Sequence, residues 1–560
     1  MTGIASIIVR MYRNLLGDCF LIRVQEEGGI ERRILIDCGI LQGLGATEGK
    51  RPSGQDRIRA VAQHIVETCS TGGGDKPAGC DAFIDLLVVT HQHFDHVGGF
   101  IQAKDILFDA KLAFGELWMG WTEDPDDKDA KAINARLDSR KTALVKLVAG
   151  LGNGNGASAL AEGTPDDGRS LAPLRDELAA YAGFIGPIED DGLGLDGAPR
   201  LTMSRIFDAI KQKAGKIRYC SPGEIVQTPG AAPLTVAVLG PPRDWALLSK
   251  DLPTPSAKET YLAGPAPSDA PPVKAWNSPP AVQSLSHWFL PAADEVPAKG
   301  DAADLARSSP FAHRYWAGTS MAAVLAAGDA TPEARTQTDA GWLYDRYYFV
   351  PAGAPAKPED VPDRKVPDPR DQRFRRIDGA WTEAASSLAL DLDSDTNNTS
   401  LVLAFQLPDD EGSFMLFAAD AQVGNWLSWH NQTYAIGTAP PLTAADILNR
   451  TRLYKVGHHG SHNATLRGKG LELMTHADLA AMCSTVEEEA AGKKGWQMPN
   501  PDVKTQLIAH CDGRLLRGDR AWADDPDTAP YQSQAASFAS RISYGPVVNG
   551  EPIYVELQMI

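Results

Sequence analysis

The segment Thr90-His91-Gln92-His93-Phe94-Asp95-His96-Val97-Gly98-Gly99 constrains this chain more than any other. Three imidazoles and a carboxylate fall within six consecutive positions, directly after the apolar run Phe83-Ile84-Asp85-Leu86-Leu87-Val88-Val89. A buried strand that empties into an HxHxDH loop aims several side chains at one point. Imidazole nitrogen and carboxylate oxygen are the ligands expected around Zn²⁺ or a similar metal. His91 and His93, two apart, suit one metal, while Asp95 and His96 turn toward a second. Crowded imidazoles gain nothing from proximity unless something binds them. Gly98 and Gly99 let the backbone bend and bring a following helix close.

At 560 residues the chain exceeds a single small core and predicts a catalytic domain with sizeable insertions. The formal net charge of −18 disfavours non-specific attraction to a nucleic-acid backbone. The seven cysteines, Cys19, Cys38, Cys69, Cys80, Cys220, Cys483 and Cys511, show no CxxC spacing. Such a set reads as reduced thiols and a cytoplasmic setting. The opening Met1 to Tyr12 reads as a first strand, not as a leader peptide. No stretch approaches the ~20 apolar residues that span a bilayer, so no membrane partner is expected.

Strand patterns bunch at the two ends of the chain, with helical and irregular material between. The expected organisation is an N-terminal core part at 1–126, a helical insertion at 127–213 and a core strand at 214–244. An Ala/Pro-rich insertion or cap at 245–385 and a C-terminal core part at 386–560 follow. The two insertions are expected outside the core.

Two distal segments bear on the first loop. Phe417-Ala418-Ala419-Asp420-Ala421 is an apolar run ending in a carboxylate, and alone it reads as a strand-end Asp capping a helix. Tyr454-Lys455-Val456-Gly457-His458-His459-Gly460-Ser461-His462 is another strand ending in imidazoles, and alone it reads as a polar turn. Together with the first loop they form an ordered set. Two metals ~3.5–4 Å apart need a bridging carboxylate and a terminal ligand of this kind.

This set resembles the metallo-β-lactamase superfamily, and within it the ComEC/Rec2-like branch with the phosphorylcholine esterases. Gly17-Asp18-Cys19-Phe20 and Ile36-Asp37-Cys38-Gly39 resemble the branch's opening pair. Asn397-Asn398-Thr399-Ser400-Leu401-Val402-Leu403 resembles its "NNxSLVL" strand, and Lys455 to Ser461 its "KVxHHGS" motif. The resemblance covers roughly residues 5–122, 234–242 and 396–560. It implies an α/β fold, an αββα sandwich of two facing mixed sheets with the metals at one edge. It also implies that His91 and His93 bind the first of two divalent metals, zinc foremost, with manganese or iron as alternatives. Asp95 and His96 bind the second, Asp420 bridges, and His458 completes the second site. Asp37 supports the loop by hydrogen bonding, as partners of metal ligands do. The chain departs from the superfamily at the third first-site histidine, where it offers Asn397 and Asn398. Asn398, His287 or His313 fills that place, or no residue does.

The expected chemistry is hydrolysis, with Asp95 and Asp420 positioning a metal-bridged hydroxide and His459 or His462 steadying the leaving oxygen. Successive side chains on an extended segment alternate faces, so His458 is expected to face the metals and His459 to splay away. The substrate class implied is a phosphoester or phosphodiester, on a nucleic acid, a nucleotide or another phosphorylated small molecule of choline-phosphate type. An acyl-bond hydrolase of lactamase or lactonase type is the second reading. A metal-stabilised effector or interaction module is the third. His64, His430, His476 and His510 have no partner motif and read as structural, as do Trp118 and Trp121.

Overall fold

Every position of Ala82–Val88 is buried, as a parallel strand covered on both faces must be. The computed structural model describes residues 3–41, 52–71, 76–108, 112–152, 178, 203–254, 259–261, 321–350, 392–437, 440–494, 496–548 and 550–560. They form two compact units, one of 1–138, 183–268 and 391–560, the other of 139–182 and 269–390.

The first unit is built on two mixed sheets. Strands β1 (Ile4–Tyr12), β2 (Phe20–Glu26), β3 (Glu31–Ile36), β4 (Ala82–Val88), β5 (Leu112–Gly120) and β6 (Ala214–Cys220) belong to one. Strands β7 (Ile225–Gln227), β8 (Thr235–Gly240), β9 (Val402–Gln406) and β10 (Phe414–Phe417) open the other. After a short ribbon of β11 (Thr433–Tyr434) and β12 (Leu442–Thr443), the second sheet is completed by β13 (Thr451–Lys455), β14 (Ala480–Cys483) and β15 (Leu515–Arg517). The chain then returns to the first sheet through β16 (Ile542–Tyr544). A ribbon of β17 (Val547–Val548) and β18 (Glu551–Pro552) leads into β19 (Tyr554–Gln558), which pairs with β1. The first sheet runs β16-β19-β1-β2-β3-β4-β5-β6 and the second β15-β14-β13-β10-β9-β8-β7.

Side-chain alternation divides the core into three layers. Leu86 and Val88 of β4 turn inward and meet Val236, Leu403, Phe405, Met415 and Phe417 of the second sheet. Phe20 packs edge-on against Phe417 with ring centroids 5.7 Å apart. Leu87 and Val89 turn outward, onto helices α1 (Gly54–Ser70) and α2 (Phe94–Gln102). The outer face of the second sheet packs on the helices Val423–Trp429, Ala444–Asn449 and Pro501–His510. This is the αββα sandwich, with two sheets face to face and helices outside both.

The helix Met203–Lys213, read in the sequence as the end of an insertion, buries Met203, Ile206, Phe207 and Ile210 in the outer core with α1. Its 3.6-residue apolar spacing was legible, but what it packs on was not. Within the second unit, the described stretch 321–350 holds the short helices Met321–Ala326, Pro332–Arg335 and Asp339–Leu343. There Thr331 and Thr338 cap their helices, and Arg335 pairs with Asp345 at 2.6 Å. All seven cysteines are free thiols. No helix among the described residues is long and apolar enough to cross a membrane.

The crossover behind the HxHxDH loop needs a residue without a side chain. The loop after β3 runs under the loop after β4, with Cys38 N donating to His96 O at 2.8 Å and Gly99 N to Cys38 O at 2.8 Å. A Cβ on Gly39 would stand 1.6 Å from the carbonyl oxygen of Asp95. Overpacking of this kind costs about 1–3 kcal/mol where neighbours can yield, and here the neighbour is backbone. Gly39→Ala is expected to destabilise by at least about 3 kcal/mol and to displace Asp95. Chemical denaturation and metal content of the variant check both parts.

Candidate metal centre

Five strand ends supply the site. The chain leaves β3 at Asp37, β4 at His91 to His96, β10 at Asp420, β13 at His458 and His459, and β14 at Ser484. Strands β3 and β4 are parallel, as are β10, β13 and β14, so these exits gather on one edge. The carboxyl ends of parallel strands are where α/β sheets present ligand-binding side chains. Four non-glycine residues there hold the left-handed conformation: Asp37 at φ 57°, Ala419 at 47°, His458 at 44° and His459 at 53°. Each costs about 1–3 kcal/mol, and such strain concentrates where side-chain direction matters.

The residues singled out in the sequence come together. Asp95, His96, Asp420 and His459 are 0 % exposed, and one ligand atom from each lies within 4.8 Å of the others. His96 Nε2 is 3.2 Å from Asp420 Oδ2. His459 Nε2 is 3.0 Å from Asp95 Oδ2 and 3.8 Å from Asp420 Oδ2, and His458 Nε2 is 3.9 Å from that same oxygen. His91 and His93 stand beside them with ring centroids 4.8 Å apart, and the His91 ring is 4.1 Å from that of His96.

Hydrogen bonds orient the rings. Thr90 donates from its backbone N (2.8 Å) and its hydroxyl (2.7 Å) to Asp37, and His96 Nδ1 donates to Asp37 Oδ2 at 2.7 Å. The Thr90 proton is therefore committed, so His91 Nδ1, at 3.1 Å, donates to the Thr90 oxygen. His459 Nδ1 donates to the Ser484 carbonyl at 2.9 Å. In each case the far nitrogen, Nε2, is left facing the centre. The atoms His91 Nε2, Asp95 Oδ1, His96 Nε2 and Asp420 Oδ2 make no hydrogen bond, though all are buried. Buried polar atoms without partners are rare and need a reason. Divalent cations at this edge would satisfy them, and this donor set of imidazole and carboxylate suits zinc, iron or manganese.

The titration behaviour fits the same occupant. Burial, with His96 and His93 as neighbours, holds His91 well below the usual imidazole range. Burial brings His93 to about 3 and His458 to about 4, so these imidazoles offer lone pairs at neutral pH. Burial also opposes charge on His96, but Asp420, Asp37 and Asp95 outweigh it and raise this imidazole well above its usual value. Those carboxylates hold a proton where a metal cation would sit. Burial, then Asp95 and Asp420, pushes the Asp393 carboxyl well above its usual range.

Two expectations need amendment. His458 and His459 do not alternate faces, because both are left-handed within the turn Gly457–Gly460, so strand periodicity does not apply to them. Both rings reach the centre, and by distance His459 stands nearer Asp95 and Asp420 than His458 does. Asn398 is engaged elsewhere: its Oδ1 accepts from Gln422 N and Asn425 N, and its Nδ2 donates to Lys250 O. His287 and His313 lie outside the described residues.

The sequence reading left three neighbours without a role. Lys455 is buried, pairs with Asp18, donates to Ala419 O at 2.8 Å and stands 3.5 Å from Asp420 Oδ1. Asp18 also accepts from Ser484 Oγ. Asp18, Asp37 and His96 bring their ligand atoms together too, but the Lys455 ammonium already neutralises Asp18. Asp393, the third, faces His93 Nε2 at 3.9 Å. A lysine at the end of the strand Thr451–Lys455, just ahead of the paired imidazoles, was the visible signal for the first of these.

Histidines with no motif lie elsewhere, as expected. His64 contacts Tyr12 and Arg10, His430 the Lys469 carbonyl and His476 Glu411. Trp118 and Trp121 are buried packing residues.

The sequence pattern of the metallo-beta-lactamase superfamily matches residues 83–190. That stretch includes β4 and the whole HxHxDH loop. No curated protein and no solved structure matches the chain. The superfamily match and the buried His/Asp cluster together support a metal-dependent hydrolase.

Proposed function

We propose that this chain hydrolyses phosphoester bonds, phosphodiesters foremost, using two divalent cations. His91 and His93 hold one, Asp95, His96 and His459 the other, and Asp420 stands between. The observation that carries the reading is the set of buried ligand atoms on His91, Asp95, His96 and Asp420 that make no hydrogen bond, gathered at one sheet edge. The choice of a phosphoester rests on the likeness of Asn397–Leu403 and Lys455–Ser461 to the ComEC/Rec2-like pattern.

Divalent cations supply Lewis acidity toward a phosphoryl oxygen and lower the pKa of water toward neutrality. The chain's own groups prepare for this. Asp37 holds His96 and Ser484 holds His459, so neither ring turns when substrate arrives. Asp18, Asp37, Asp95 and Asp420 crowd the edge against the buried cation of Lys455. An anionic phosphoester is repelled from such a site until cations are in place.

The test is a panel of chromogenic phosphodiester, phosphomonoester, lactam and lactone substrates, run with zinc, manganese and iron(II) and after chelation. Phosphodiester turnover that disappears with chelator and returns with metal is expected. Turnover confined to lactams or lactones would move the reading to acyl-bond hydrolysis, and no turnover with any metal would overturn it.

The two adjacent imidazoles give a sharper check. His459→Ala is expected to lose metal as well as rate, because Nε2 faces Asp95 and Asp420. Full metal content in His459→Ala with loss in His458→Ala would restore the order expected from strand alternation. Metal analysis and turnover on the same preparations decide between them.

A further inference from the structure

Among the described residues the proposed first metal position has two histidines, His91 and His93, and an unassigned carboxylate, Asp393, stands beside His93. Residues 392–397 are helical and precede β9. Asp393 on that turn is 9 % exposed. Its Oδ2 accepts from Asn397 Nδ2 at 3.2 Å, one helical turn on, which fixes the plane of the carboxylate. Its Oδ1 is buried, makes no hydrogen bond among the described residues and stands 3.9 Å from His93 Nε2.

Two ligands bound at ~2.1 Å to one ion at tetrahedral angles stand about 3.4 Å apart. A small rotation therefore places both atoms on a common cation. A buried carboxylate oxygen without a donor carries a desolvation penalty that a cation removes. Asn398, the neighbouring alternative, is bound to backbone groups.

We propose that Asp393 is the third protein ligand of the first metal position, beside His91 and His93. The inference rests on the metal-dependent reading above. It makes that position a two-imidazole site with carboxylates from Asp393 and Asp420, a donor set harder than three imidazoles. Carboxylate in place of imidazole favours manganese or iron(II) relative to zinc.

The experiment counts metals and records the cobalt(II) spectrum of the full-length protein and of Asp393→Ala, Asp393→Asn and Asp393→His. Metal-free samples of each are first compared by circular dichroism and thermal unfolding, and Asp393→Asn keeps the shape of the side chain should Asp393→Ala fail to fold. The wild type is expected to hold about two ions, and Asp393→Ala and Asp393→Asn about one, with first-site affinity lower by on the order of 100-fold or more. Asp393→His is expected to retain both ions, to alter the cobalt(II) bands and to shift preference toward zinc. Two ions bound with unchanged affinity and spectrum in Asp393→Ala or Asp393→Asn would overturn the assignment and leave the hydrolase reading intact. A wild-type protein that binds no metal would remove both.

Discussion

Asp420→Ala is expected to lower metal-dependent hydrolysis by about a thousandfold or more, since metal stabilisation of developing charge contributes several kcal/mol. It is also expected to reduce bound metal. The carboxylate stands 3.2 Å from His96 Nε2, 3.8 Å from His459 Nε2 and 3.9 Å from His458 Nε2. Asp95, by comparison, stands 4.0 Å from His96 Nε2 and 3.0 Å from His459 Nε2. The fold should survive the change, because Lys455 keeps Asp18, His96 keeps Asp37 and His459 keeps Asp95. A ligand that binds only the folded state stabilises it by about 2.7 kcal/mol at a hundredfold excess over Kd. Added metal should therefore raise the melting temperature of the wild type and move that of the variant far less. Wild-type turnover in the variant would remove Asp420 from the mechanism.

Lys455→Met should cost about 3–5 kcal/mol of stability, the penalty for leaving one partner of a buried ion pair uncompensated. Burial opposes the charge on Lys455, but Asp18 and Asp420 outweigh it and raise the ammonium above the ordinary lysine range. A group whose folded pKa is raised contributes in full below its unfolded pKa and loses that contribution as pH rises through the folded value. The ion pair is thus fully effective at pH 7 and fades only in strong alkali. Asp18→Asn combined with Lys455→Met should recover much of the loss, because neither member of that pair then stays charged. Urea denaturation of the single and double variants measures the coupling, and additive losses would refute the pairing.

Much of the candidate centre was legible because the residues gathered there come in short contiguous runs. A strand that ends in HxHxDH places four candidate side chains before any tertiary contact forms, and Asp37 and Asp420 each sit directly past an apolar run. The supporting groups were not legible in this way. Asp37 and His96 are 59 positions apart, and His459 and Ser484 are 25 apart. Their bonds exist only because β3 lies beside β4 and β13 beside β14. Asp393 sits in an acidic stretch, Asp391 to Asp395, where no local pattern separates a ligand from a solvated carboxylate.

Alternation of faces failed at His458 and His459 for a related reason. That rule holds for extended backbone, and both residues are left-handed, a state that non-glycine residues take only when surrounding contacts enforce it. Local pattern therefore determined the strand-then-ligand segments, since periodicity and side-chain chemistry are short-range properties, and the sandwich followed from the resemblance those segments carry. Tertiary structure alone decided which imidazole nitrogen faces the centre, that Lys455 neutralises Asp18 and that Asp393 meets His93. Those facts depend on which strand ends are neighbours, and sheet order is set by burial of the whole chain.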